Sequence, residues 1–177
     1  MRHPSSAATR SLALVGLSGA GKSSVGRLLA ARLDWPLRDT DTLIEQAAGR
    51  SVARIFAEQG EAGFRDLEAA ALRTALTPSA IVATGGGIVL RAENRALLRA
   101  RAYVVWLDAP TETLITRLQA HAEMRPLLNG DPAANLTALR SARAALYDEI
   151  AHLRVETAGR GVDEVCEQIL DVFERAR

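Results

Sequence analysis

The sequence predicts an α/β fold built on a parallel sheet, and three observations support it. Short apolar runs alternate with longer stretches whose apolar residues recur at helical spacing, the pattern of strands joined by crossover helices. The first run, Ser11–Gly16, passes through a glycine-rich loop straight into a helical stretch, giving a strand–loop–helix unit near the N-terminus. No Pro/Gly/Ser-rich linker, internal repeat or low-complexity segment divides the 177 residues, enough for one domain with a real core.

Taken in order, Ser11–Gly16 suits a buried strand, and Lys22–Leu33 a helix with Val25, Leu28, Leu29 and Leu33 on one face. Trp35–Asp39 reads as the second strand, and Thr42–Ala48 as a helix stopped by Gly49. Ser51–Gln59 and Glu61–Leu76 give two more helical stretches, ended by Thr77-Pro78. Ala80–Thr84 is the third strand, running into three consecutive glycines. Residues 91–100 are helical, Ala102–Leu107 is the fourth strand, and Thr111–Gln119 a helix. Residues 120–131 are polar and irregular, Ala133–Ala151 is a long amphipathic helix, His152–Glu156 the fifth strand, and Val162–Arg175 the closing helix. Residues 1–10 (MRHPSSAATR) lack an apolar signal core and read as a disordered tail, leaving 11–177 as the folded domain.

Composition narrows the function. Net charge is +1, with the arginines scattered among 21 acids, and aromatics make up only 4%. This disfavours a nucleic-acid surface, which needs a basic stripe and, for single strands, stacking aromatics. No apolar run approaches the ~20 residues of a membrane span, so the expected compartment is the cytoplasm and no membrane partner is expected. Cys166 is the sole cysteine and keeps helical step with Val162, Val165, Ile169 and Phe173, the mark of a buried apolar position. His3, His121 and His152 show no metal-ligand spacing.

Of the 22 lysines and arginines, one is lysine. It is Lys22, inside Gly16-Leu17-Ser18-Gly19-Ala20-Gly21-Lys22-Ser23, which fits the P-loop pattern G-x-x-x-x-G-K-[ST] at every fixed position. In such a loop the backbone N–H groups of Gly19, Ala20, Gly21, Ser23 and Ser24 can face one anion, helped by the helix dipole. Lys22 can reach the β- and γ-phosphates, and the Ser23 hydroxyl can ligate Mg²⁺. Asp39-Thr40-Asp41 follows the second strand at the end where open parallel sheets bind ligands. Read as extended chain, it points both carboxylates one way, one for the metal shell and one for an acceptor hydroxyl. Arg65 and Glu68 lie three apart on a helix face, so Glu68 can hold the guanidinium. Gly85, Gly86 and Gly87 let the backbone approach a ligand. Arg125 lies in the irregular stretch as the arginine of a lid spanning about 117–131, and Arg143 and Tyr147 are one helical turn apart.

Together these motifs resemble the shikimate kinases. The likeness runs from about Ser11 to Phe173 and rests on the P-loop, LRDTD at 37–41, IEQAAGRSVARIFAEQGEAGFRDLE at 44–68, ATGGG at 83–87, RPLL at 125–128 and RAALY at 143–147. The resemblance implies a P-loop kinase fold with strand order 2-3-1-4-5, and transfer of the ATP γ-phosphoryl to the 3-hydroxyl of shikimate, a step toward aromatic amino acids. It further implies that Asp41, Arg65, Gly86 and Arg143 bind shikimate, with Gly85 and Gly87 beside them. Asp39 supports Mg²⁺ through water, and Lys22 and Arg125 stabilise charge on the transferring group. Arg160 and Arg117 lie at the adenine. ATP and shikimate are the expected partners, and the chain is expected to be a monomer. One departure is the loop Val155–Val162, which carries Glu156 where the family usually has Asp and lacks its later Pro, so looser purine contacts are expected.

Two other readings stand beside this one: another small-molecule kinase, such as one for gluconate, and a nucleotide-binding module without catalysis. Paired Arg65 and Arg143 with the triple glycine disfavour the first. Retention of Lys22, Asp39 and Arg125 disfavours the second.

Overall fold

The computed structural model describes residues 10–120 and 130–176. The N-terminal residues 1–9 and the segment 121–129, with Arg125 and the RPLL motif, lie outside the described residues.

Five strands, β1 (Ser11–Val15), β2 (Leu37–Asp39), β3 (Ile81–Ala83), β4 (Ala102–Asp108) and β5 (Leu153–Glu156), form one sheet in the order β2-β3-β1-β4-β5. Every neighbouring pair is parallel. β1, β3 and β4 are buried along their full length, which is why they read as continuous apolar runs rather than alternating ones. The helices are α1 (Lys22–Leu33), α2 (Thr40–Ala48), α3 (Val52–Ala75), α4 (Ala92–Arg101), α5 (Thr111–Gln119), α6 (Pro132–Ile150) and α7 (Val162–Arg175). Strand register puts the C-terminal ends of β1, β2 and β3 side by side, with Leu14 and Asp39 both opposite Ala83. The P-loop, the Asp39 turn and the triple glycine therefore emerge at one edge of the sheet.

Three departures from the sequence reading have local causes. β2 begins at Leu37 rather than Trp35, because Asp34 takes a left-handed turn (φ 54°) and the Trp35 N–H folds back to the Ala30 carbonyl. α2 begins at Thr40 rather than Thr42: Asp39 is its N-cap, accepting from the N–H groups of Asp41 and Thr42 at 3.0 and 3.2 Å. Asp41 therefore sits in the first helical turn and not on extended chain. Between the triple glycine and α4, Ile88–Leu90 forms a 3₁₀ turn that no periodicity announced. The expected division of the third helical region is real, since α3 is broken at Gly60, whose φ of 66° and ψ of −173° interrupt the helix.

The core lies on both sides of β1 and β4. Leu12, Leu14, Val104, Val105 and Leu107 are fully buried, and Cys166 and Ile169 of α7 pack into the same cluster. Burial raises the Cys166 thiol to about 11, so it is an apolar core residue. A smaller cluster of Ile44, Ile55, Phe64 and Ala71 joins α2 to α3 beneath Arg65. Among the described residues, no helix is long and apolar enough to cross a membrane.

Candidate active site

At the end of β1 the chain turns through Gly16–Gly21 into α1, with Gly19 at φ 85° and Gly21 at φ 99° as the N-cap. These left-handed values favour glycine and aim successive N–H groups inward. Lys22 is folded back over the loop, its Nζ donating to the carbonyls of Gly16 (2.9 Å) and Leu17 (2.8 Å). Burial lowers its pKa to about 8, with Asp41 and Asp39 pulling the other way. A cleft of about 580 Å³ opens here, running between the P-loop, Asp39 and Asp41 on one side and Arg117, Thr157 and Arg160 on the other.

Asp39 does two jobs at once. One oxygen caps α2, while the other stands 3.5 Å from the Ser23 hydroxyl. A hydroxyl and a carboxylate facing each other are the hard oxygen donors Mg²⁺ takes, since that ion keeps most of its shell as water and phosphate. The donor set therefore fits the metal the motif implies.

The triple glycine is where the second half of the site converges. Thr84 is tied to β1 through its hydroxyl and the Leu14 carbonyl (2.9 Å), and the Gly85 N–H donates to the Thr40 hydroxyl (3.0 Å). The Gly86 carbonyl accepts from the Arg143 guanidinium (3.1 Å) and the Tyr147 hydroxyl (2.5 Å). A Cβ at Gly87 would collide with the Arg65 guanidinium, and one at Gly85 would press on Glu68 and Asp41 oxygens at 3.0 and 3.1 Å. Only glycines let these charged groups close around the strand end. Arg65 is held by Glu68 at 2.7 Å and by Glu61 at 3.3 Å, and the Glu68 side chain is 1% exposed.

This corner is electrostatically tense. Asp41 Oδ1, Glu68 Oε1 and Arg65 Nε are buried with no hydrogen-bond partner among the described residues. Burial, then the neighbouring Asp39, raises the Asp41 pKa; burial raises that of Glu68 against the opposing pull of Arg65. Buried groups left unpaired cost stability, and their concentration at one strand end marks a place prepared for a polar ligand.

At the other end of the cleft, Arg117 of α5 is pinned by three hydrogen bonds, to the Gly19 carbonyl (3.2 Å), the Thr157 hydroxyl (2.9 Å) and the Thr157 carbonyl (2.8 Å). Arg160, in the loop between β5 and α7, closes on both elements, donating to Gln168 at 2.6 Å and to the carbonyls of Glu156 and Glu164. Beside it Val162 is 40% exposed. The structure thus brings together Gly19–Ser24, Asp39, Asp41, Arg65, Gly85–Gly87 and Arg143 at one end and Arg117 and Arg160 at the other. Arg125 lies outside the described residues. The sequence reading missed Thr157, which joins the loop after β5 to the P-loop across 137 positions, and Thr40, which braces Gly85. A lone threonine has no pattern to find it by.

Residues 18–174 match the shikimate kinase family. The chain is 49% identical over 163 residues to a shikimate kinase of Symbiobacterium thermophilum, covering 90% of this chain and 94% of the relative. Its structure is similar to that of shikimate kinase from Acinetobacter baumannii in complex with shikimate, with a TM-score of 0.89, 35% identity, and coverage of 96% and 95% of the two chains. A gluconokinase from Sinorhizobium meliloti shares the fold at a TM-score of 0.59 and 18% identity, covering 96% of this chain and 94% of its own.

Proposed function

The chain belongs to the shikimate kinase family, and from that premise we propose how its residues divide the work of moving the γ-phosphoryl of ATP to the 3-hydroxyl of shikimate. The observation that carries the reading is the corner at Gly85–Gly87, where two arginines and a short acid converge beside a P-loop. Two guanidiniums suit one carboxylate, and Asp41 suits a ring hydroxyl. That is the recognition chemistry of a small hydroxy acid.

Arg65 and Arg143 hold the shikimate carboxylate, with Glu68 fixing Arg65. Asp41 orients the acceptor hydroxyl and takes its proton; its raised pKa brings a carboxylate closer to the strength a general base needs. The N–H groups of Gly19, Ala20, Gly21, Ser23 and Ser24 hold the phosphates, and Arg117 and Arg160 flank the base. Ser23 and, through water, Asp39 hold Mg²⁺, which neutralises phosphate charge when bound. Lys22 leaves the Gly16 and Leu17 carbonyls to meet the β- and γ-phosphates. Arg125 joins it from a lid of about 117–131, which follows on from the last turn of α5. Transfer is then a matter of positioning and charge stabilisation. A monomer working in the cytoplasm completes the reading.

A coupled assay for ADP release with shikimate or gluconate as acceptor tests it. Shikimate-dependent turnover is expected, with gluconate near background. Turnover with gluconate alone would favour the other kinase, and none with either would favour a nucleotide-binding module.

A further inference from the structure

Asp108, the last residue of β4, takes no part in the site as described, yet both halves of the site lead back to it. Its carboxylate is 4% exposed and accepts from Arg140 of α6 at 3.3 and 2.8 Å and from Arg154 of β5 at 2.6 Å. Its backbone carbonyl accepts from the Thr157 N–H (2.9 Å) and the Thr157 hydroxyl (3.1 Å). Thr157 in turn holds Arg117 and reaches the Ala20 carbonyl of the P-loop (3.3 Å). On the other side, Arg140 lies one helical turn before Arg143, which meets the Gly86 carbonyl. α5 and α6 are consecutive helices, and Asp108 meets both, α6 through its carboxylate at Arg140 and α5 through its backbone carbonyl, Thr157 and Arg117.

We propose that Asp108 is a positioning residue that sets the acceptor-site helix against the nucleotide loop, so that the affinity for shikimate depends on whether nucleotide is bound. The link is continuous in named contacts: Arg143 and Arg140 on one rigid helix, Arg140 to the Asp108 side chain, the Asp108 backbone to Thr157, and Thr157 to Arg117 and the P-loop. Arg154 shares the same carboxylate but is not on the helix that carries Arg143, and it approaches the acceptor corner only through ring packing, Trp106 stacking on Tyr147 at 5.6 Å. It covers the Trp106 ring at 4.3 Å and has a side chain 53% exposed. The two arginines therefore separate positioning from simple support of the fold. The inference rests on Arg143 facing shikimate.

The experiment measures the shikimate dissociation constant with and without saturating Mg-ADP, alongside KM for both substrates, in the wild type and in Asp108→Asn, Arg140→Met and Arg154→Met. Asparagine keeps the size of Asp108 but turns an amide toward two guanidinium donors. The wild type is expected to bind shikimate more tightly with Mg-ADP present. Asp108→Asn and Arg140→Met should bring that ratio close to one and raise KM for shikimate by roughly 2- to 30-fold, the range seen when a coupling contact is cut. Arg154→Met should lower thermal stability and leave ratio and KM as they were. If Asp108→Asn fails to fold, Arg140→Met at a side chain 37% exposed still decides. A wild-type ratio of one, or an unchanged ratio in Arg140→Met, overturns the proposal. Loss of coupling in Arg154→Met to the same degree would reduce Asp108 to a structural anchor and overturn it equally. Wild-type shikimate binding by itself reports on the underlying reading, and its absence would overturn both.

Discussion

At the scale of single residues, the site is a set of charges held where water would not leave them unpaired. Lys22 shows this most directly: the protein's one lysine is buried against two carbonyls, with its pKa near 8 rather than 10.5. An amine-selective reagent can modify only Lys22 and the α-amino group, which has an ordinary pKa of about 7.7–8.0. Both titrate in the same range, so protection rather than pH tells them apart. Mg-ATP should suppress labelling of the Lys22 peptide, read by mass spectrometry, and leave the N-terminal peptide unchanged. Lys22→Arg should lose about 100-fold or more in kcat, because a planar fork is bulkier than an ammonium and cannot take its place beside the phosphates among the backbone N–H groups of a tight loop. Near-normal kcat in that variant would remove Lys22 from the chemistry. Arg65→Ala and Arg143→Ala should each cost roughly 2–4 kcal/mol in kcat/KM for shikimate with little change in KM for ATP. Wild-type kinetics in either would take that arginine out of the acceptor site.

At the scale of elements, what could be read in advance depended on whether a signal was local. Buried strands such as Ala102–Asp108 and helices with one apolar face, such as Val162–Arg175, are dictated by their own residues, and α1, α5 and α7 begin and end where periodicity and punctuation put them. The P-loop and the Arg65–Glu68 pair were legible for the same reason. The start of α2 was not, because a capping carboxylate and a metal-shell carboxylate look alike in sequence and Asp39 is placed to serve as both. Asp108, Thr157 and Thr40 were invisible because each acts through partners dozens of positions away. The break at Gly60 gives the element scale its own test. A Cβ there would touch nothing within 4 Å, so replacement meets only the backbone penalty of its positive φ. Gly60→Ala should cost about 1–3 kcal/mol in urea unfolding. It should also raise KM for shikimate, since Arg65 and Glu68 ride on the segment that Gly60 sets at an angle. Unchanged stability and KM would mean the kink is incidental. For the proposed lid, slower hydrogen exchange over 117–131 with nucleotide and shikimate bound is expected, and equal exchange in both states would argue against closure.

At the scale of the whole molecule, the acceptor corner is a liability that the rest of the fold carries. Asp41 and Glu68 both have pKa values raised above the ordinary carboxylate range by burial. A carboxylate with a raised folded-state pKa binds protons more readily in the native protein than in the unfolded chain. Its contribution to stability is therefore favourable at low pH and is lost as pH rises from the unfolded value of 3.8 through the folded one. A charged Asp41 is held in the ligand-free protein at a net cost, even with the attraction of Lys22 and Arg65 included. Asp108 works in the opposite direction. Burial pushes its pKa up, but the hydrogen bonds from Arg140 and Arg154 outweigh that and leave it lowered, so its stabilisation is present above 3.8 and fades as acid protonates the native carboxylate. Replacing Asp41 by asparagine removes a charge the fold disfavours while keeping its shape. Asp41→Asn should therefore raise the melting temperature of the ligand-free protein at pH 7 while lowering kcat sharply, the exchange of stability for activity expected at a functional site. The stability gain should shrink as pH is lowered through the raised native pKa, below which the native carboxylate is itself protonated. Saturating shikimate should narrow the gap further, because at 100 times its dissociation constant a ligand stabilises the competent wild type by about 2.7 kcal/mol and the variant by less. Melting curves of both proteins from pH 4 to 8, with and without shikimate, measure all three effects. A melting temperature at pH 7 equal to or below that of the wild type would show that the Asp41 charge is well accommodated and that the corner is not strained.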